Sequence, residues 1–469
     1  MHPKMLCYKI INNFVTTKPL NIMTKDLSIK KGLDINIIGG IESEKPPYLI
    51  PVKTCAVVPD DFIGLTPKAI VAVGDHVKKG TPIIIDKKNA NIALVAPISG
   101  SIKEIARGER RKILYISIEA DNNEAAESFD TSNINSPDNA RLLLMQSGLW
   151  AQMRQRPYDI IPDATSVPRD IFISAFDSAP LAPNYDYILN DVERELTEGV
   201  KLLKQLTSGN VYISTRNDSN IKSIEGAEMV IVKGPHPAGN VGVQIANISP
   251  INKGEVVWTL DAVTLRRIGH LVINGTIDTS TIVALTGSEV AEPKYLKTVQ
   301  GAKIEDLITN EIKNNQNVRI ISGNVLTGKT TPRDSFLRFP YNHITVIPEG
   351  NDVAEFLGWA SLSPRKMSVS RSFPGHFLFK KKFSPDARIL GGKRAMIMSG
   401  EYDRVFPFDI YAEYLLKAII SRNIDQMEAL GIYEVAPEDF ALCEYVDTSK
   451  IEIQQIVREG LDFLRKELE

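Results

Sequence analysis

The segment from Lys233 to Ile245 holds the residues whose types and spacing best suit a ligand site. It reads Lys-Gly-Pro-His-Pro-Ala-Gly-Asn-Val-Gly-Val-Gln-Ile and follows the apolar run Met229–Val232. A β-branched run that stops at glycine and proline predicts a buried strand ending in a sharp turn, because proline has no N–H for the strand ladder. His236 would then lie at the carboxyl edge of a sheet, where α/β proteins bind ligands.

The glycines of this segment support a close approach of backbone to another surface. Gly234, Gly239 and Gly242 carry no Cβ, and the two prolines beside His236 stiffen the loop that presents its ring. A glycine-rich turn is a weak motif by itself. The alternative interpretation is a rigid connector in which the histidine makes only a structural hydrogen bond.

A second pattern with chemical meaning spans Gly323 to Thr330 and satisfies G-x-x-x-x-G-K-[ST]. A working P-loop needs a helix directly after its lysine, and an acidic residue at the end of a partner strand to hold Mg²⁺. Pro340 stops any helix here within two turns, and no run of parallel strands precedes the pattern. The sequence therefore argues against phosphate binding at this position.

Composition limits the remaining functional classes. The chain has 469 residues, of which 43% are hydrophobic, and a formal net charge of −2, so we expect several globular domains and no attraction to nucleic acid. No apolar run approaches the roughly 18 residues that cross a bilayer. The three cysteines, Cys7, Cys55 and Cys443, are isolated, which excludes a CxxC-type metal site. We predict no metal site and no catalytic residue.

The amino-terminal part predicts a β domain. Residues 1–26 are interpreted as a tail, with Met23 as an alternative start, and residues 27–121 contain short β-type runs. Val71 to Asp86 and Val95 to Ile105 resemble the biotinyl/lipoyl barrel-sandwich pattern. Lys87 or Lys88 would lie near the hairpin tip, where a modified lysine would stand, although solvated turn lysines are the commoner case. Residues 122–139 are polar and read as a linker.

The middle of the chain predicts a Rossmann-like α/β domain at residues 140–295. Strands are expected at 170–175, 210–214 and 229–232, with helices at 140–154 and 191–206 and a short helix that carries Arg266 and Arg267. No G-x-G-x-x-G follows the first strand. Phe176–Pro183 occupies that place, and its prolines remove N–H groups that a pyrophosphate would use. Independent dinucleotide binding is therefore not expected.

The carboxyl-terminal third predicts a small β-grasp domain and then helices. Residues 296–350 contain strands at 318–322 and 343–348 beside a helix at 303–312, and they resemble the soluble-ligand-binding β-grasp (SLBB) fold. Residues 351–469 form a mixed, then helical region with helices expected at 409–422, 423–430 and 449–468. The basic segment Phe379–Phe383 could meet anionic headgroups or a partner, but a solvated ribbon is the simpler interpretation.

Together these features resemble the A-subunit family of the bacterial Na⁺-translocating NADH:quinone oxidoreductase, Na⁺-NQR. The resemblance runs from about Leu27 to the carboxyl terminus. It is carried by the domain order and by Lys30–Asp34, Gly234–Gly239, Ser322–Gly328 and Glu401–Asp409. The family is similar to the C subunit of the Rnf complex and to the flavin-bearing, NADH-oxidising subunit of complex I.

Two departures from those relatives concern redox centres. Their glycine-rich flavin loop is replaced here by Leu149–Pro157, and of the two cysteine clusters of the Rnf subunit only Cys443 remains. The resemblance implies that this chain binds no cofactor, and that NADH, flavins and iron centres belong to partner subunits. It further implies a peripheral subunit, inactive alone, on the cytoplasmic side of the inner membrane that docks on integral membrane subunits.

For the site, the resemblance implies contact with quinone, either ubiquinone or menaquinone, during its reduction coupled to Na⁺ export. Quinone recognition needs an apolar slot and one or two hydrogen-bond donors to the carbonyl oxygens. His236 is the first candidate for such a donor, with Gly234 and Gly239 permitting approach, and Arg267 is a distant second candidate. The alternatives are an independent flavin- or NAD-dependent electron-transfer protein and a pure assembly scaffold.

Overall fold

The computed structural model of the chain describes residues 25–121, 123–313, 317–351, 363–364, 366–369, 373–378 and 381–468. The predicted tail up to residue 24, with Met23 and Cys7, lies outside these ranges. Phe379 and Lys380 of the basic segment also lie outside them.

The regular elements are numbered in chain order. The strands are β1 (Lys25–Ser28), β2 (Tyr48–Leu49), β3 (Thr54–Val57), β4 (Pro67–Ala69), β5 (His76–Val77), β6 (Pro82–Asp86), β7 (Ala93–Val95), β8 (Gly100–Arg107), β9 (Ile113–Ala120), β10 (Arg154–Arg156), β11 (Ile171–Ser174), β12 (Val211–Thr215), β13 (Glu228–Lys233), β14 (Val257–Asp261), β15 (Ser280–Thr286), β16 (Lys294–Val299), β17 (Val318–Ser322), β18 (Lys329–Thr330) and β19 (His343–Pro348). The helices are α1 (Pro137–Gln146), α2 (Tyr185–Ile188), α3 (Glu193–Lys204), α4 (Val241–Ile248), α5 (Ala262–Asn274), α6 (Ile304–Ile308), α7 (Ala412–Ile420), α8 (Ile424–Ala429), α9 (Ala441–Val446) and α10 (Ile453–Leu468).

Two antiparallel sheets form the amino-terminal β unit. Their strand orders are β3-β9-β8-β5 and β4-β6-β7. Alternate apolar residues of the two sheets share one core, in which Ile84, Ile102 and Ile116 are at most 1% exposed. Lys87 and Lys88 are exposed in the turn that follows β6.

A mainly parallel six-stranded sheet forms the α/β unit, in the order β1-β13-β12-β11-β14-β10. Only β10, at one edge, runs antiparallel to its neighbour β14. Alternate residues of β11 face opposite sides of the sheet: Ile171 and Ile173 join the core beneath α3 and α5, whereas Phe172 packs with Ile245 of α4. Helices therefore cover both faces, as in doubly wound folds.

The structure differs from the sequence prediction at residues 140–154. Helix α1 ends at Gln146, and the backbone turns at Gly148, whose φ is 78°. Residues 154–156 then form the edge strand β10 where we predicted the end of a helix. The apolar spacing of Leu149, Trp150 and Met153 reflects burial of a single 3₁₀ turn at Trp150–Gln152, and periodicity cannot distinguish that from an α-helix.

A second six-stranded sheet, β18-β17-β19-β15-β16-β2, forms the β-grasp unit. The predicted boundary between residues 295 and 296 falls inside β16, which pairs with β15 as an antiparallel hairpin. The predicted unit 27–121 also contains β2, which pairs with β16, and it begins within β1, which pairs with β13. Sheet membership therefore does not follow the predicted boundaries, because an apolar strand run does not say which sheet it joins.

Helices form the core of the carboxyl-terminal unit. Helices α7, α8 and α10 lie within the three ranges predicted, and α9 was not predicted. Their apolar faces form a core with Ile29, Phe176 and Val230 of the α/β unit. No helix among the described residues is both long and apolar enough to cross a bilayer.

Candidate functional site

The glycine-rich loop follows β13 as predicted, and its conformation explains its glycines. Gly234 has a φ of 134°, and a Cβ on it would lie 2.3 Å from the carbonyl oxygen of Ile29. The strand β1, paired alongside β13, brings Ile29 this close. Gly239 faces the backbone nitrogen of Ser178 in the same way, at 2.6 Å from an added Cβ. A side chain at either position would displace the loop.

His236 is buried at the centre of this loop, with 2% of its surface exposed. Its Nδ1 lies 3.0 Å from Oγ of Ser178, and that oxygen also accepts a hydrogen bond from the backbone N–H of Gly239. The serine hydroxyl can donate to Nδ1 or accept from it, and in the tautomer in which it donates, the imidazole proton lies on Nε2. That nitrogen finds no hydrogen-bond partner among the described residues.

Burial also fixes the charge of this histidine. Loss of solvent lowers the pKa of His236 to about 4, although the carboxylate of Asp34 opposes the shift. The same Asp34 accepts a hydrogen bond from the backbone N–H of His236 at 2.9 Å. The ring is therefore neutral at physiological pH, and its buried Nε2 is unpaired within the described residues.

Arg267 lies elsewhere, on α5, where it lines a cleft at the junction of the β, α/β and β-grasp units. It is 4% exposed, and its hydrogen bonds are long: 3.4 Å from Nη1 to Gln152 and 3.2 Å from Nη2 to the carbonyl oxygen of Ser280. Its Nε has no partner within the part of the chain that the structure describes. Burial lowers the pKa of Arg267 to about 10, partly offset by Asp261.

The walls of this junction cleft are largely apolar. Phe62 and Phe339 stack there with ring centroids 5.0 Å apart and an interplanar angle of 11°. Asp61, Arg338 and Tyr341 supply polar groups beside the aromatic pair. The cleft holds about 880 Å³ of empty space counted out to its open mouth, but only about 70 Å³ is wide enough for the centre of a water molecule. It is thus a narrow slot.

The structure does not bring the four predicted site residues together. Gly234, His236 and Gly239 share the loop after β13, and none of them lines the junction cleft that contains Arg267. The two candidate donors, His236 and Arg267, therefore lie at separate positions, and each stays a prediction.

Two further segments that the sequence analysis considered, the P-loop-like pattern and Leu149–Pro157, can be placed in the structure. Lys329 of the P-loop-like pattern begins β18, which pairs with β17 as a hairpin, and its ammonium contacts Asp61 at 3.1 Å. This hairpin lies within the described residues and no helix starts at it, so it lacks the helix N-terminus whose N–H groups bind phosphate in a P-loop. In the segment Leu149–Pro157, Trp150 packs edge-on against Trp258 with centroids 5.0 Å apart.

Sequence reasoning missed Asp61, Phe62, Arg338, Phe339 and Tyr341 as residues of one cleft. Asp61 and Arg338 are 277 positions apart, and no motif spacing links them. The described residues contain no group of three or more histidines, cysteines or carboxylates placed to hold a metal ion.

Comparison with known proteins gives three matches in chain order. Residues 27–121 match the family model "NqrA N-terminal barrel-sandwich hybrid domain", residues 136–277 match "NqrA second alpha/beta domain" and residues 282–333 match "NQRA C-terminal domain". These descriptions confirm the predicted fold class.

Curated relatives match over nearly the whole chain. The A subunit of the Na(+)-translocating NADH-quinone reductase from Histophilus somni (strain 129Pt) is 36% identical over 459 residues, covering 94% of this chain and 100% of the relative. The protein of the same name from Rhodopirellula baltica is 34% identical over 452 residues, covering 94% and 98%. A solved NAD⁺-reducing [NiFe]-hydrogenase has a TM-score of 0.34 at 17% identity, covering 47% of this chain and 48% of that one, which is too weak to support an inference.

Proposed function

Because the chain belongs to the family of A subunits of Na⁺-translocating NADH-quinone reductases, we propose that it contributes a quinone-binding site at the junction cleft. The family predicted from the sequence is confirmed, and the chain is accordingly a subunit of a sodium-pumping NADH:quinone reductase, a translocase. That a quinone binds to this chain in the cleft is our proposal, and the residues that line the cleft support it.

The observation that carries this proposal is the state of Arg267. A buried guanidinium normally satisfies its N–H groups with carboxylates or carbonyl oxygens, because leaving them unpaired is costly. Here one N–H is unpaired within the described residues and two others make long bonds. A quinone carbonyl oxygen would complete this set, while Phe62 and Phe339 offer apolar surface to the ring.

The loop of His236 is a second candidate position, favoured by its buried Nε2, which has no partner among the described residues. A quinone could reach this nitrogen only if the loop separated from Ser178 and from the residues after β1, because Gly234 and Gly239 are in close backbone contact there. We therefore propose Arg267 as the direct quinone contact. His236, with Gly234 and Gly239, holds the loop conformation, and its N–H is the alternative donor.

The finer properties implied by the family belong to the same proposal. We propose that this chain is peripheral, lies on the cytoplasmic side of the bacterial inner membrane and contacts integral membrane subunits. We also propose that flavins and iron centres are held by those partners and not by this chain. A visible spectrum of the purified chain tests the last point, because a stoichiometric flavin band would favour an independent flavoprotein.

Quinone titration of the purified full chain tests the site. Trp150 follows directly after Leu149, which lines the cleft, so tryptophan fluorescence should report binding of a short-chain quinone. We expect Arg267→Gln to weaken binding by about 10- to 150-fold, because a hydrogen bond to a charged group contributes about 1.5–3 kcal/mol. Arg194→Gln is the matched control, since Arg194 is exposed on α3.

The same titration separates the alternatives. Unchanged affinity in Arg267→Gln, together with weakened binding in His236→Gln, would move the quinone to the loop. If neither the parent chain nor any variant binds quinone, the scaffold interpretation is supported and the proposal fails.

A further inference from the structure

One irregular segment forms a continuous wall of the junction cleft. Residues 337–342, called the strap below, run between β18 and β19, and all six of them line the cleft. The backbone N–H of Leu337 donates to Ala302, and the hydroxyl of Tyr341 donates to the carbonyl oxygen of Thr327 at 2.8 Å. These bonds tie the ends of the strap to its own β-grasp unit.

The middle of the strap is held by a residue of a different unit. Asp61 is 4% exposed. The single Nε–H of Arg338 is shared between the two carboxylate oxygens of Asp61, at 2.9 and 3.0 Å, and Nη2 donates to Oδ1 at 2.6 Å. Its carboxylate also accepts from the backbone N–H of Phe339 at 3.0 Å and from Lys329 at 3.1 Å. One buried carboxylate therefore fixes both the backbone and a side chain of the strap.

The aromatic pair lies directly beside this anchor. Phe62 follows Asp61 in the chain, and Phe339 follows Arg338, so the ion pair and the ring stack join the same two segments. The guanidinium of Arg154, on the α/β unit, lies 5.8 Å from the ring of Phe339 and donates to the carbonyl oxygen of Asp61 at 2.7 Å. Three units thus meet at the position of Asp61.

The width of the slot makes the strap relevant to ligand binding. Sites for small organic ligands usually offer about 300–1,000 Å³, and the space here that admits a water centre is about 70 Å³. A planar ring therefore needs one wall to shift. Backbone hydrogen bonds hold the two ends of the strap, from Leu337 to Ala302 and from Ala284 to the carbonyl oxygen of Asn342. Its middle forms no regular secondary structure and depends on the contacts to Asp61 and Phe62, so it is the part of the strap that can shift at least cost.

Building on the proposed quinone site, we infer that Asp61 is a positioning residue for quinone: it holds the strap, and with it the Phe339 ring, at the distance from Phe62 that shapes the slot. Asp61 does not touch the quinone. It neutralises Arg338 and Lys329, so that the strap returns to one position after a quinone enters between the aromatic walls.

The test measures quinone reduction by the assembled reductase into which variants of this chain are built. Asp61→Asn keeps the shape of the side chain but removes the charge that holds two cations. We expect the KM for a short-chain quinone to rise at least 10-fold while kcat changes less than 2-fold, because the strap is mispositioned and the chemistry is intact. NADH oxidation by ferricyanide, an acceptor that needs no quinone site, should be unchanged.

Two further variants keep the test informative if Asp61→Asn does not assemble. Arg338→Lys keeps the charge but loses the bidentate contact, so a smaller rise in KM, about 3-fold, is expected. Asp60→Asn is the matched control: Asp60 is exposed, precedes Asp61 and pairs with Lys112 at the surface, so its KM should equal that of the parent.

The result that overturns the inference is a quinone KM that stays at the parent value in Arg338→Lys, and in Asp61→Asn where that variant assembles. In that case Asp61 would only join two units. Arg267→Gln separates this failure from failure of the site itself. If Arg267→Gln raises the KM while the Asp61 and Arg338 variants do not, only the role of Asp61 is wrong; if none of them does, the quinone site is also wrong.

Discussion

The buried ion pair between Arg156 and Asp439 gives the most direct prediction about how the units are held together. Arg156 is 1% exposed on the edge strand β10, and its Nη1 lies 2.8 Å from Oδ2 of Asp439, which is 2% exposed. Oδ2 also accepts a hydrogen bond from the backbone N–H of Ala436. An added Cβ on Gly242, in α4, would lie 2.4 Å from both groups, so the pair is closed in by backbone.

We predict that Asp439→Asn destabilises the carboxyl-terminal unit by about 3 kcal/mol. Removing one partner of a buried ion pair typically costs about 3–5 kcal/mol, because the remaining charge stays in an apolar place. We expect the lower end of this range of destabilisation, because Nη2 of Arg156 keeps its contact to Glu438 at 2.9 Å and the carboxylate of Glu438 is partly exposed. The double variant Arg156→Met/Asp439→Leu removes both charges and should recover most of the loss.

Hydrogen exchange measured by mass spectrometry suits this prediction, because the chain contains several units and need not unfold in one step. Peptides from α9, α10 and β10 should exchange faster in Asp439→Asn, while those from the core of β8 and β9 keep their protection. The control is Arg404→Gln, which breaks an exposed ion pair to Glu401 and should cost less than about 1 kcal/mol. A change below about 1 kcal/mol in Asp439→Asn, with unaltered α10 exchange, would refute the reasoning.

Of three further predictions, two concern pH and one concerns backbone space. The pKa of His236 is lowered from 6.5 to about 4 in the folded chain, so protonation favours the unfolded chain. The free energy of unfolding should therefore decrease below pH 6.5, by about 2 kcal/mol at pH 5. Urea midpoints measured at pH 7.5 and pH 5 should differ less in His236→Gln than in the parent chain. His343, with a pKa lowered to about 3 by burial, should add to this acid sensitivity, and His343→Gln should reduce it in the same titration. Gly239→Ala should lower the melting temperature, since its Cβ would lie 2.6 Å from the backbone nitrogen of Ser178, whereas Gly392→Ala, with nothing within 4 Å, should leave it unchanged.

Local patterns in the sequence predicted the elements that depend on neighbouring residues. The run Met229–Val232 ends as a strand before Gly234, as expected, because the turn is determined by residues within it. The helix predicted at 191–206 is α3, whose leucines at positions 196 and 203 face the sheet. Such features follow from short-range periodicity and turn chemistry.

The junction cleft could not be predicted in this way. Its walls come from segments as distant as Val57, Gly148, Arg267 and Phe339, which only the assembled units bring together. Sheet membership has the same difficulty, since β1 pairs with β13, about 200 positions later. The sequence identified His236 and Arg267 as candidate hydrogen-bond donors but carried no information on the distance between them.

The position of a bound quinone is the most direct test of the account. A photoreactive quinone analogue, cross-linked to the assembled reductase and mapped by mass spectrometry, should label peptides of this chain that contain residues 337–342 or 147–152. Arg267→Gln should reduce that labelling, and excess unmodified quinone should compete with it. Labelling confined to residues 234–240, or absence of competed labelling on this chain, would contradict the placement of quinone in the junction cleft.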